Sequence, residues 1–147
     1  MGFQVTIDVA DPHAQARFWA AALGYDIEDH SNAIREILDQ GFVSEDDVVD
    51  IDGRLHWRVA AAIRHPDDTD RNPLDDPAPR RLLFWQVSEA KRSKNRIHLD
   101  LNVGPDRLDD EVARLTALGA TELYRVDEPH SNHVTLADPE GNEFCIQ

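Results

Sequence analysis

His98 and Asp100 are the residues of this sequence best suited to moving a proton. In Ile97-His98-Leu99-Asp100-Leu101-Asn102-Val103, polar and apolar residues alternate, so a strand here puts His98, Asp100 and Asn102 on one face. An imidazole exchanges protons near neutral pH, and a carboxylate on the same face can orient it, which makes a general acid–base pair. The competing role is a plain structural hydrogen bond between the two. Near the N-terminus Gln4, Thr6 and Asp8 repeat the pattern against Phe3, Val5, Ile7 and Val9. Two aspartates, a histidine and amides suit a polar ligand site, the alternative being a solvated sheet face. The single cysteine, Cys145, offers a thiol that needs a base or positive surroundings to become a nucleophile; packing is the commoner role. The basic run Lys91-Arg92-Ser93-Lys94-Asn95-Arg96 could neutralise a carboxylate or phosphate on a ligand, or simply be a solvated linker. Trp85, with Trp57 and Phe84, suits either an apolar pocket wall or the core. His65-Pro66-Asp67-Asp68 reads as turn chemistry, and His130-Ser131-Asn132-His133 as a loop. Gly-rich phosphate loops, G-x-S-x-G elbows and CxxC pairs are absent.

The elements that must position these residues come in two rounds. In the first, the N-terminal strand leads to Asp11-Pro12, an N-cap followed by proline at the first helical position. Ala14, Phe18, Ala21 and Ala22 then share one helix face, widened by Trp19 and Leu23, until Gly24. Tyr25-Asp26-Ile27 begins another strand. In the second round the strand around His98 leads to Gly104-Pro105 and a helix with Leu108, Val112, Leu115 and Leu118 on one face, ended by Gly119. Strands are expected over 121–126, 133–137 and 143–147, with Asp138-Pro139-Glu140-Gly141-Asn142 as a tight turn. Ile63-Arg64-His65-Pro66-Asp67, followed by a strand over 82–87, echoes that turn in the first round.

Residues 30–58 have no counterpart in the second round. A short helix is expected after Ser31, and Ser44-Glu45-Asp46-Asp47 resembles a capping box for another. Asp52-Gly53 is a turn signal that favours a hairpin instead. The Pro- and Asp-rich stretch 66–80 reads as a surface loop.

Composition sets the outer bounds. The chain has 147 residues, 41% hydrophobic and 30% charged, with 15 basic against 29 acidic residues and a formal charge of −14. That length suits one domain or two fused half-domains and needs no disulfide to fold. The charge repels phosphate backbones and anionic lipid, so neither nucleic acid nor membrane is an expected partner. One cysteine, no visible signal peptide and no long apolar run point to a cytoplasmic protein.

The repeated strand–helix–strands plan, Leu23-Gly24-Tyr25 after the first helix and Asp138-Pro139-Glu140-Gly141-Asn142 before the last strand together resemble the vicinal oxygen chelate superfamily of glyoxalases, bleomycin-resistance proteins and extradiol dioxygenases. Lys94-Asn95-Arg96-Ile97-His98-Leu99-Asp100 with Asp138 to Cys145 resembles its glyoxalase-like domain branch. The resemblance implies an α+β fold of two paired βαβββ modules forming a curved, half-open mixed sheet around a cavity. The expected single domain spans 1–147, with module one at 1–90, carrying the 30–58 insert, and module two at 94–147. It also implies metal-ligand positions on the first and last strand of each module. His98 matches one. The equivalent places hold Gln4, Cys145 and, on the first module's last strand, Trp85 or Gln86. His98 and Cys145 alone are fewer than the three protein ligands of a catalytic zinc site, although Glu143, on Cys145's face, could complete a set with His98.

No cofactor is therefore expected, a divalent metal being the exception. The leading expectation is a small-molecule-binding protein without the full metal set, in which His98 and Asp100 transfer a proton. Gln4, Thr6, Asp8, Trp85, Asn102, Glu143 and Cys145 would line the ligand site. The alternatives are a metal-dependent lyase, isomerase or dioxygenase, and a non-catalytic drug-binding or sequestering protein. A homodimer is compatible with either module's open sheet edges.

Overall fold

The first alternation becomes strand β1 (Val5–Val9), with Thr6 and Asp8 exposed and Val9 buried. The computed structural model describes residues 4–68, 80–129 and 131–147. Asp11 caps helix α1 (Pro12–Leu23): its Oδ1 accepts from the His13 and Ala14 amides, both at 3.0 Å. Gly24 closes the helix at φ 67°, a left-handed conformation that costs glycine little. The chain then adds β2 (Asp26–Ile27), β5 (Ala60–Arg64) and β6 (Arg81–Gln86) around an insert made of α2 (Ser31–Asp39) and the hairpin β3 (Val48–Ile51) and β4 (Arg54–Trp57).

Two compact units result, Met1–Ser88 and Glu89–Gln147. The first has a four-stranded mixed sheet in the order β1-β6-β5-β2. β1 runs parallel to β6, and the other neighbours are antiparallel. One face packs under α1, where Trp19, Phe84 and Ile63 are almost fully buried.

The insert contains both candidate structures. The helix after Ser31 forms, with Ile34 buried and α2 against β4. The Ser44–Asp47 capping box also forms, but it caps only a single 3₁₀ turn, Glu45–Asp47. Hairpin β3–β4 follows, turning at Asp52 and Gly53, φ 53° and 80°. Two consecutive positive φ angles suit the twist of a two-residue hairpin. The 66–80 loop lies largely outside the described residues.

The second unit comprises β7 (Asp100–Leu101), α3 (Leu108–Ala117), β8 (Thr121–Glu128), β9 (Ser131–Ala137) and β10 (Glu143–Ile146). Its sheet order, β7-β10-β9-β8, repeats the first, again with the opening strand parallel to the closing one. Val112 and Leu115 of α3 are buried with Leu136, Phe144 and Ile146.

Three expectations here need correction. Ile97 is 83% exposed, because the ladder to β10 begins at Leu99, whose carbonyl accepts from the Cys145 amide. Leu118 is 40% exposed, because it is the cap residue after α3 and has left the buried stripe. Helix α3 also starts later than Pro105, after a 3₁₀ turn at Pro105–Arg107.

The β9–β10 turn is held by a buried carboxylate. Asp138 Oδ1 accepts from the Glu140 and Asn142 amides at 2.9 Å, and Oδ2 accepts from Asn142 Nδ2 at 3.1 Å. We expect Asp138→Ala to cost about 1–3 kcal/mol in urea unfolding, since it strips several donors of their acceptor. A loss within error would show that the turn holds without it.

Candidate functional site

His98 lies two residues ahead of β7, in the segment that leads into it, and its side chain meets that of Asp100, the first residue of the strand. His98 Nδ1 lies 2.8 Å from Asp100 Oδ1. The carboxylate can only accept, so Nδ1 donates and Nε2 is left as the basic nitrogen. The two side chains are 39% and 45% exposed, open to a ligand without burial. Because β7 and β10 are parallel and in register, Asp100 sits beside Cys145. One ligand atom each from His98, Asp100 and Cys145 falls within 4.8 Å of the others. Cys145 is half-buried, and its Sγ lies 3.5 Å from Thr135 Oγ1 across the β9–β10 pair.

The other expected residues of this unit are engaged. Asn102 Oδ1 accepts from Gln147 Nε2 at 3.0 Å. Glu143 Oε2 accepts from the Asn95 amide and pairs with Lys91 Nζ, each at 2.9 Å. Burial pushes the Glu143 carboxyl up, but those two donors outweigh it and hold it down at about 2. Glu143 thus ties the basic segment to the sheet, and the residue that joins His98 and Cys145 is Asp100. Of the basic run, Lys91 is spent on Glu143. Ser131 to His133 belong to β9 and not to the expected loop, because they pair with β8; His133 Nδ1 is 3.1 Å from Ser131 Oγ, and His130 lies outside the described residues.

In the first unit Thr6 and Asp8 are exposed on the sheet face away from α1. Trp85, 47% exposed, is in register with Asp8. Gln4 is exposed and its Oε1 accepts from Arg81 Nη1. Trp85 is therefore a face residue, whereas Phe84 is core.

Arg81 leads to a group the sequence reading missed. Its Nε and Nη2 donate to Glu28 Oε1 and Oε2 at 2.9 and 2.8 Å. Arg64 Nε is 3.0 Å from Oε1, and His30 Nε2 is 2.9 Å from Oε2. The Glu28 side chain is 1% exposed. Burial raises its pKa, yet the His30 and Arg81 hydrogen bonds and the two guanidinium charges bring it down to about 2. One carboxylate against two guanidiniums leaves this cluster net positive in a chain of −14. Only the charge run Glu28-Asp29-His30 hinted at it, because Arg81 lies 53 residues away.

Imidazole, carboxylate and thiol together suit a borderline cation such as zinc, with three protein ligands and an open position. They do not suit a hard cation that selects oxygen ligands.

A family model described as a glyoxalase-like domain matches residues 4–147. Among solved structures, a glyoxalase/bleomycin resistance protein/dioxygenase family enzyme from Burkholderia phytofirmans PsJN superposes with a TM-score of 0.58 at 18% identity, covering 97% of this chain and 94% of that one. The fosfomycin resistance protein FosX from Mesorhizobium loti gives 0.61 at 10% identity, covering 99% and 88%. A mutant FosX from Listeria monocytogenes, solved with Mn(II) and 1S,2S-dihydroxypropylphosphonic acid, gives 0.58 at 10% identity, covering 98% and 86%. No curated protein matches the sequence. No helix among the described residues is long and apolar enough to cross a membrane.

Proposed function

Because the chain belongs to the glyoxalase-like domain family, we propose that it is a small-molecule-binding enzyme of that branch in which His98 moves a proton on the bound ligand. The observation that carries this reading is the 2.8 Å hydrogen bond between the exposed side chains of His98 and Asp100, at the start of β7. Asp100 holds the ring with Nε2 outward and stabilises the imidazolium formed when Nε2 takes a proton. Cys145 and Asn102 extend the same face and would contact the ligand. In the first unit, Thr6, Asp8 and Trp85 form an exposed face of their own, with Gln4 Oε1 bonded to Arg81.

Proton abstraction next to a carbonyl is the chemistry that fits these groups. The test is solvent exchange: hydroxyketones and thiol–aldehyde adducts are incubated with the protein in D2O, and C–H loss is followed by NMR. Exchange that survives chelation is expected. A protein inert towards the whole panel, yet binding a bulky ligand saturably, would favour sequestration.

The His98, Asp100 and Cys145 group supports a second reading, a zinc-dependent lyase or isomerase. These three residues would hold the ion, which when bound would polarise a ligand oxygen. Elemental analysis of protein purified without chelator separates the two readings. We expect zinc and manganese well below one per chain. One zinc per chain, lost in Cys145→Ser, would establish the second reading.

A further inference from the structure

A cavity lies within the first unit. It has a volume of about 380 Å³, in the size range of small-molecule pockets, and opens between α1, the segment after β2 and the tip of hairpin β3–β4. Its walls include His13, Arg17, Ile27, Ile51, Arg54 and His56. His13 pins the hairpin to the helix: Nε2 donates to the Trp57 carbonyl at 3.0 Å, and its ring meets His56 edge-on at 5.4 Å. The pocket exists because of the insert, since the hairpin forms one wall.

The charges around it are unequal in their engagement. Glu28 is consumed by Arg64, Arg81 and His30, and Asp29 by Arg54 and Ser31. The Arg17 side chain has no hydrogen bond or ion pair among the described residues, and neither has that of Asp52, which also lines the pocket. A free guanidinium calls for an anionic oxygen group. His13 Nδ1, left as an acceptor by the Trp57 bond, and the Asp52 carboxylate call for a hydroxyl donor. Burial and the neighbouring His13 hold the His56 pKa down, so it faces the pocket as a neutral imidazole able to donate or accept. Ile27, Ile51 and Ala16 offer an apolar wall for carbon.

We infer that this pocket binds a small hydroxycarboxylate, its carboxylate on Arg17 and its hydroxyl on His13 or Asp52. The unpaired Asp52 disfavours a multiply charged anion such as phosphate, which shares the affinity for Arg17 but not the tolerance of a nearby carboxylate.

The test uses the full chain with labelled histidine, titrated by NMR with mandelate, phenylacetate and inorganic phosphate at matched ionic strength. Mandelate is expected to shift the His13 and His56 ring signals saturably. Phenylacetate, lacking the hydroxyl, should bind at least threefold more weakly, and phosphate more weakly still. Arg17→Gln should weaken mandelate about tenfold, and Arg17→Lys less. Arg17 is exposed on the helix surface, so an unchanged melting temperature will show that each variant folds. The assignment is overturned if mandelate gives no saturable shift, if Arg17→Gln binds as wild type, or if phosphate binds more tightly than mandelate.

Discussion

Glu28→Gln should destabilise the protein by about 3–5 kcal/mol, the usual cost of removing one partner from a buried ion pair. The neutral amide would leave Arg64 and Arg81 without their counter-charge and turn an N–H2 group towards donors. Urea unfolding at neutral pH measures the loss. The pH dependence carries a second signature. The Glu28 pKa falls from an ordinary 4.5 to about 2 on folding, so its stabilisation is complete above pH 4.5 and disappears as pH falls towards 2. That is worth about 3 kcal/mol at 1.4 kcal/mol per pH unit. Glu143 is lowered over the same range, so wild type should lose stability through both carboxylates and Glu28→Gln through Glu143 alone. A variant that unfolds as wild type and keeps the full acid limb would mean that the guanidiniums find other partners.

His98→Gln should reduce ligand proton exchange by about 10²–10⁴-fold, the range spanned by a positioned general base. Glutamine can keep a hydrogen bond to Asp100 but has no basic nitrogen. Asp100→Asn should also lower the rate, because an amide cannot stabilise the imidazolium, while leaving ligand affinity nearly unchanged. Cys145→Ser should be nearly silent if the thiol only lines the site. A zinc-dependent protein would instead lose metal and turnover together in Cys145→Ser and Asp100→Asn. Measuring exchange and metal content on the same samples therefore separates a base from a ligand. His98→Gln with wild-type exchange would remove His98 from the chemistry.

Much of this architecture was readable because it is encoded locally. Asp11-Pro12 and Gly24 bracket α1 by capping and a positive φ, and Asp138 to Asn142 forms its turn from donors within a few residues. Alternation placed Thr6 and Asp8 on an open face and Val9 in the core. The same rule misjudged Ile97, since alternation does not say where a partner strand begins. In the insert, capping and turn signals were both correct, but only packing decided that the Ser44 box would cap one turn and yield to a hairpin.

The candidate site divides along the same line. The sequence by itself determined the His98–Asp100 pair, because residues two apart in an extended segment share a face; here the pair forms even though His98 precedes the strand. It also determined the α+β repeat, because periodicity and caps are properties of neighbouring residues. Only the tertiary structure decided that Cys145 joins that pair and that Glu143 does not, since this depends on the parallel register of β7 and β10. Only it revealed Glu28 between Arg64 and Arg81, and the pocket of Arg17, His13 and His56. Such groups are assembled from distant strands and an insert by chain crossover, and no local pattern encodes which charge meets which.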